Sequence, residues 1–398
     1  MRTRFRTLAL ALFATTLFAA LWTTSFADQQ ETSALFEEWR ATTADHEAGD
    51  LHEIEINGIT YRFRWAPPGT FAMGYSEKER EELPGLLKED LIKYRISLSE
   101  ESFFDYSEEK VEASVTSAIE KIASDVQQHD VTLSYGFWIL ETPVTQAMWK
   151  SIMGDYPGEF KDSDFPVEGV SWIDCQKFLT RLNKLGVAPS DACFMLPTEA
   201  QWEYACRAGT TTSFSWGDSL NGDRANCNGA RPYGTEETGE FLGRTTAVGS
   251  YEANPWGLFD MHGNVWEWCA DSYDAYPSGA VTDPFCVNEK RNRVLRGGSW
   301  FDYPEDCRSA SRARGDKRAC FVSDDNSANK EIIWGNIGFR IVLAPPSEKT
   351  QDEDALVQRT ATPAEEWTAS FAGKEPGDLR VINVDGVSYS LRWCPPGA

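Results

Sequence analysis

Residues 254–269 read Asn254-Pro255-Trp256-Gly257-Leu258-Phe259-Asp260-Met261-His262-Gly263-Asn264-Val265-Trp266-Glu267-Trp268-Cys269. Three tryptophans and a phenylalanine in sixteen residues carry more apolar surface than an exposed loop needs. Pro255, Gly257 and Gly263 interrupt any regular helix or strand, so the stretch reads as an ordered core loop. Asp260, Asn264 and Glu267 lie too close to those aromatics to be left unpaired, because burying an unsatisfied polar group is costly. A bound cation would satisfy them, since carboxylate, amide and main-chain carbonyl oxygens are the ligands calcium selects.

Toward the N-terminus the helix signals are local and chemical. Thr198 with Gln201 forms a capping box for a helix from Glu199 to about Arg207, which Gly209 ends. Ser171 with Asp174 opens another, which carries Phe178, Leu179 and Leu182 on one face and stops at Gly186. Thr145 caps a short helix that Gly154 ends, and Val131 to Leu140 reads as one strand leading into it. Between Leu51 and Trp65 apolar residues alternate around Asn57-Gly58, the pair favoured in the two positive-φ positions of a type I′ hairpin turn. Across 210–292 regular periodicity is sparse, and beyond it only Arg293–Arg296 and Gly338–Leu343 read as strands. The expected fold is α+β with long ordered loops, which need internal ligands or crosslinks to hold one conformation.

The chain has 398 residues and a net charge of −24. That charge argues against nucleic acid and anionic membrane surfaces as partners, and suits calcium and basic peptides. Arg2, Arg4 and Arg6 precede an apolar run from Leu8 to Leu21, and Ser25-Phe26-Ala27 supplies a cleavage site, so residues 1–27 read as a signal peptide. The mature chain is expected to be exported, periplasmic or extracellular, with no membrane contact after cleavage. Eight of its nine cysteines fall between Cys175 and Cys320; in an exported chain these suggest disulfides of open pairing, although buried thiols would account for them equally.

Residues 76–128 are acidic and poor in aromatics, like an insertion. Within them Val111, Val115, Ile119, Ile122 and Val126 recur at helical spacing behind Ser107. Shifted by 328, residues 38–69 and 366–397 agree at 16 of 32 positions. The expected organisation is therefore a leader (1–27), a main domain (28–345), a linker (346–363) and the start of a second copy of that domain (364–398).

Four motifs in order carry a family resemblance: Leu196-Pro197-Thr198-Glu199-Ala200-Gln201-Trp202-Glu203-Tyr204, the 254–269 loop, Arg296-Gly297-Gly298-Ser299-Trp300, and Ile337-Gly338-Phe339-Arg340. Together they resemble the formylglycine-generating enzymes, or sulfatase-modifying factors. The resemblance implies a C-type-lectin-like core. It also implies an activity, the oxygen-dependent oxidation of a sulfatase cysteine to formylglycine at a copper(I) ion held by two thiolates, and two structural calcium ions. Matched by position, one calcium would take the side chains of Asp260 and Glu267 and the carbonyls of Gly263 and Val265. The other would take the side chains of Asn226 and Glu240 and the carbonyls of Cys227 and Leu242.

The family's two copper thiolates fall here on Asp302 and Cys307, so one is replaced by a carboxylate, a poor ligand for a soft ion. Ser299 and Trp266, which match residues beside the family's active centre, are kept. Cys307 itself would be bonded to Cys269 or simply buried. Three readings follow. The first is a degenerate member that binds a protein, a peptide or a glycan. The second is an oxidase acting on a sulfatase that tolerates Asp302 or borrows another thiol. The third is a nonhaem-iron oxidase, which four scattered histidines (His46, His52, His129, His262) support poorly.

Overall fold

The computed structural model describes residues 35–82, 84–85, 115–116, 119, 126–156, 158–288, 291–318 and 336–346, and the backbone of 379–384 and 387–392. The leader, most of the acidic insertion, nearly all of the linker, Cys320 and Cys394 lie outside these residues. Of the expected insertion helix, Val115, Thr116 and Ile119 are described and are helical, whereas Val126, the last residue of the spacing, lies in a turn. Val115 and Ile119 are buried, as that helix requires. By contacts the chain divides into two units, Met1–Thr350 and Gln351–Ala398. Among the described residues no helix is long and apolar enough to cross a membrane.

Three sheets organise the first unit. The largest has the order β1-β2-β5-β12-β6, built from Leu51–Ile56 (β1), Ile59–Ala66 (β2), Phe137–Leu140 (β5), Val342–Ala344 (β12) and Cys193–Met195 (β6). Its first two strands form the expected hairpin, with Asn57 at φ 52° and Gly58 at φ 78°. Gly69–Met73 (β3), His129–Leu133 (β4) and Val281–Thr282 (β8) make a three-stranded sheet. The third has the order β10-β9-β7-β11, from Arg312–Gly315 (β10), Arg293–Arg296 (β9), Trp266–Ser272 (β7) and Ile337–Gly338 (β11).

The helices stand where their caps place them. Thr145 accepts from the Met148 N–H at the start of α1 (Gln146–Met153), and Gly154 ends it at φ 97°. Full capping boxes open α2 (Trp172–Asn183) at Ser171 and α3 (Glu199–Arg207) at Thr198. Trp149 of α1 stacks on Phe178 of α2, with ring centroids 5.6 Å apart and planes at 5°.

Three expectations change, and of the two readings of the cysteines the buried thiols hold. Trp266–Ser272 is not loop but the inner strand β7, buried along its whole length. Both its faces are covered, so it lacks the apolar–polar alternation that marks a half-exposed strand. Val131 to Leu140 is two strands in different sheets, broken at Ser134-Tyr135-Gly136. There Asp283 accepts from the Ser134 N–H at 2.8 Å, and the Gly136 backbone lies so close to Trp65 that a Cβ would meet the ring at 2.3 Å. Gly338–Leu343 likewise divides between β11 and β12, in two sheets. The seven described cysteines are all free thiols.

In the second unit, Leu379–Val384 (β13) and Val387–Arg392 (β14) pair antiparallel, with Leu379 opposite Arg392 and Val384 opposite Val387. The corresponding pairs in β1 and β2 are Leu51 with Arg64 and Ile56 with Ile59. The register is thus the same after the shift of 328 that aligns the two sequences.

Candidate functional site

Two loops meet beside the third sheet. The 254–265 loop carries three positive-φ turns in its second half, at Asp260 (53°), Gly263 (83°) and Asn264 (66°). Gly263 is required there, because a Cβ would stand 2.3 Å from the Asn226 carbonyl oxygen. Asn264 donates its N–H to that carbonyl at 2.8 Å, and Asn226 Nδ2 donates to the Arg244 carbonyl at 2.9 Å and to Asn264 Oδ1 at 3.2 Å. This arrangement fixes the amide and leaves Asn226 Oδ1 buried with no partner.

The two sets of calcium-candidate residues are therefore neighbours. Tyr251 lies within electrostatic reach of both, since burial, then Cys227, Asp260 and Glu240, push its hydroxyl pKa up. Burial also pushes the Asp260 carboxyl up to about 6, although Gly249 donates an N–H to it at 2.7 Å. A cavity of about 10 Å³, close to the room one water-sized particle needs, borders Asp260, Tyr251 and His262. Glu240 is exposed, and its carbonyl accepts from the Gly229 N–H at 3.2 Å. Leu242 is 39% exposed, whereas Val265 is fully buried.

Glu267 is already well engaged. Trp202 Nε1 (2.8 Å) and Arg340 Nε (2.6 Å) donate to its Oε2, and Arg340 Nη2 donates to its Oε1 at 2.8 Å. A carboxylate has about four acceptor positions, so one remains for a cation. Among the described residues no three His, Cys, Asp or Glu side chains converge as a metal cluster. A cation here would rest mainly on carbonyl and amide oxygens, the donor class calcium accepts, and the bare Asn226 Oδ1 fits that requirement.

The second half of the site is the turn at 297–307. It runs antiparallel to 263–267: Glu267 is paired with Arg296, Gly263 donates to the Gly297 carbonyl at 2.7 Å, and the Trp300 N–H reaches the Asn264 carbonyl at 3.1 Å. Trp266 thereby stands across from this turn, with its indole N–H buried and unpartnered. Gly298 has φ 71°, and a Cβ there would come within 2.5 Å of Cys307 Sγ. Ser299 is fully buried, and its hydroxyl makes a short hydrogen bond to Asp302 Oδ2.

Cys307 is a buried free thiol, not bonded to Cys269, which belongs to another buried cluster. Cys307 shares a buried cluster with Cys227, Phe214, Leu220 and Tyr233. A hydrogen bond with Cys227, followed by burial, raises the Cys307 thiol well above its ordinary range. His262 Nδ1 donates to the Cys307 carbonyl at 2.7 Å, and Nε2 accepts the Ser215 N–H at 3.2 Å. Burial pushes the His262 pKa down to about 4, so the imidazole stays neutral in this tautomer.

A paired thiolate centre at 302 and 307 does not fit these residues. Position 302 offers hard carboxylate oxygens, one of them already bonded to Ser299, where a soft copper(I) ion needs sulfur. The spacing between motifs gave no sign that Cys227 adjoins Cys307, nor of the part played by His262; each depends on contacts between residues far apart in the chain.

Buried ion pairs hold the third sheet against α3. Glu203 bonds Arg207, Arg296 and the Gly74 N–H, and Glu199 bonds Arg312 at 2.7 Å. On the outer side Trp300, Phe301, Phe241 and Phe160 form a connected aromatic group. Phe241 stacks on Trp300 with centroids 6.3 Å apart, and Phe160 meets Trp300 edge-on at 5.7 Å. Phe241 is 43% exposed.

Residues 63–345 match the family model of the sulfatase-modifying factor enzyme 1-like domain. An inactive C-alpha-formylglycine-generating enzyme 2 from Bos taurus is 29% identical over 73% of this chain and 92% of its own length. A formylglycine-generating enzyme from Streptomyces coelicolor is 37% identical, over 44% of this chain and 51% of its own length. Among solved structures, PvdO from Pseudomonas aeruginosa superposes with a TM-score of 0.53 at 20% identity, covering 75% of this chain and 99% of that one. Treponema denticola variable protein 1 gives 0.50 at 21%, covering 74% and 99%. At these identities the two structures speak to the fold, which they share. The matched family model spans both loops of the site and all four sequence motifs, and the chain belongs to the sulfatase-modifying factor family.

Proposed function

We propose that this protein is an exported, catalytically degenerate member of its family that binds a protein or peptide segment at the surface around Trp300 and Phe241. The observation that carries this reading is the hydrogen bond from Ser299 to Asp302, which fills the position of the first thiolate with a paired carboxylate. Phe241, exposed and stacked on the buried Trp300 beside that turn, supplies the kind of aromatic anchor on which peptide recognition depends. A net charge of −24 favours a basic segment. Two calcium ions at Asn226/Glu240 and Asp260/Glu267 would hold the loops that carry this surface. The leader at 1–27 supports export.

A second reading, the formylglycine-forming oxidase, is favoured by the contact between Cys227 and Cys307, which brings another thiol to the site. One pair of measurements separates the two. A Cys-X-Pro-X-Arg peptide is incubated with the reduced protein, oxygen and copper, and the Ser-X-Pro-X-Arg analogue is titrated by fluorescence anisotropy. Binding of the serine peptide without conversion of the cysteine peptide is expected. Conversion to formylglycine overturns the degenerate reading, and absence of binding overturns this peptide class as the ligand.

A further inference from the structure

Cys227 and Cys307 come from loops 80 residues apart, and two independent contacts hold those loops together. Both side chains belong to one buried apolar cluster, with 2% and 0% exposure. The Asn228 N–H, one residue beyond Cys227, donates to the Asp302 carbonyl at 2.8 Å. The Cys307 carbonyl is held from the other side by His262 Nδ1. The loops therefore meet through side chains and backbone, and the two thiols are hydrogen-bonded to each other.

These surroundings make a poor nucleophile. Thiols covered on all sides cannot reach a substrate. The same pair is well placed to be joined. We propose that Cys227 and Cys307 close into a disulfide that fixes the Asn226–Asn228 segment, and with it the candidate cation site, against the 297–307 turn. The inference rests on the exported, non-oxidase reading proposed above, and it accounts for Cys307 being kept in a chain that has lost its partner at 302.

In the closing step each thiol loses a proton, one sulfur–sulfur bond forms, and two electrons pass to a small-molecule disulfide, which is reduced to two thiols. Attack by a thiolate on that oxidant requires access, so closure belongs to folding, before the pair is covered. Once buried, the bond is shielded from reductants. It pins the backbone that presents Asn226 Oδ1 and the Cys227 carbonyl.

The test is peptide mapping by mass spectrometry on protein refolded from the reduced state with a glutathione redox couple. The refolded protein is unfolded and alkylated without reductant before digestion. The expected result is a single crosslinked pair of peptides containing Cys227 and Cys307, lost on reduction. In Cys227→Ser the Cys307 thiol, and in Cys307→Ser the Cys227 thiol, is expected to become fully alkylated. Alkylation of both thiols in the refolded wild-type protein, or a crosslink from either to another cysteine, overturns the inference. Its failure is separable from that of the functional reading: formylglycine production by the reduced protein overturns the reading and leaves the crosslink map untouched, whereas an inert protein with two alkylated thiols overturns the crosslink alone.

Discussion

Asn226 and Asn264 hold each other in a reciprocal pair: the Asn264 N–H donates to the Asn226 carbonyl at 2.8 Å, and Asn226 Nδ2 donates to Asn264 Oδ1 at 3.2 Å. Because the Arg244 carbonyl takes the other amide proton, Asn226 cannot flip, and its Oδ1 stays buried and bare. An unsatisfied buried acceptor of this kind costs about 1–3 kcal/mol, so a cation that meets it gains what the protein alone has lost.

Calcium is therefore expected to stabilise the protein. An ion that binds only the folded state at a hundred times its Kd adds about 2.7 kcal/mol per site. Thermal unfolding with calcium and with a chelator reads this directly. The melting temperature is expected to fall on chelation, and Asn226→Ala and Asp260→Ala are each expected to remove part of that fall. A melting temperature indifferent to chelator excludes the ions.

Acid stability turns on Glu203. Burial works against its charge, but Arg207 and Arg296 outweigh burial and hold the carboxyl below its ordinary value of 4.5. Its stabilising contribution is thus present above that value and lost as the pH falls through the lower, folded value. Replacing it with glutamine takes the carboxylate from the buried Arg207 and leaves Arg296 only the more distant Glu199, 3.7 Å away, at a cost of roughly 3–5 kcal/mol near neutrality. Urea unfolding across the acid range is expected to show a lower plateau for Glu203→Gln and a shallower decline below about pH 4.5. An acid limb as steep as that of the wild type would show that other carboxylates set it.

What the sequence disclosed and what it hid divide along one line. Thr145, Ser171 and Thr198 act on their own helix within three residues, and Asn57-Gly58 acts within its own turn, so these elements were legible. Trp266–Ser272 was not, because a strand covered on both faces carries no alternation to read. The candidate cation residues were found by motif position, yet the same motif gave no hint that Arg340 and Trp202 occupy three acceptor positions of Glu267. The Cys227–Cys307 contact and the neutral His262 that holds the Cys307 carbonyl arise only from the way the loops fold back, and no local pattern encodes that.

Copper offers a direct test of position 302. In the reduced protein Asp302→Cys places sulfur at both positions of the motif, which suits a soft ion far better than the carboxylate does. Competition against a chromophoric copper(I) chelator is expected to show a sharp rise in affinity over the wild type. Equal affinities would mean that the wild-type protein already holds copper by another pair of ligands, with Cys227 the thiol to replace next.

The aromatic group around Trp300 yields the last prediction, and Phe241 is the residue that separates binding from folding. Trp300 is nearly buried, so removing it would damage the turn as well as the surface. Phe241 is 43% exposed and lies over Trp300 with an angle of 18° between the rings. An exposed substitution away from caps and networks changes stability by no more than about 0.5 kcal/mol, whereas an aromatic anchor at the centre of an interface contributes about 2 kcal/mol or more, some thirtyfold in affinity. Phe241→Ser is therefore expected to weaken binding of the Ser-X-Pro-X-Arg peptide by more than tenfold at an unchanged melting temperature. Because Leu242, its neighbour, is a candidate carbonyl ligand, the chelator-induced drop in melting temperature serves as the control and should equal that of the wild type. If peptide affinity survives the substitution while the control holds, the aromatic surface is not the docking site, and recognition must be sought elsewhere on the fold.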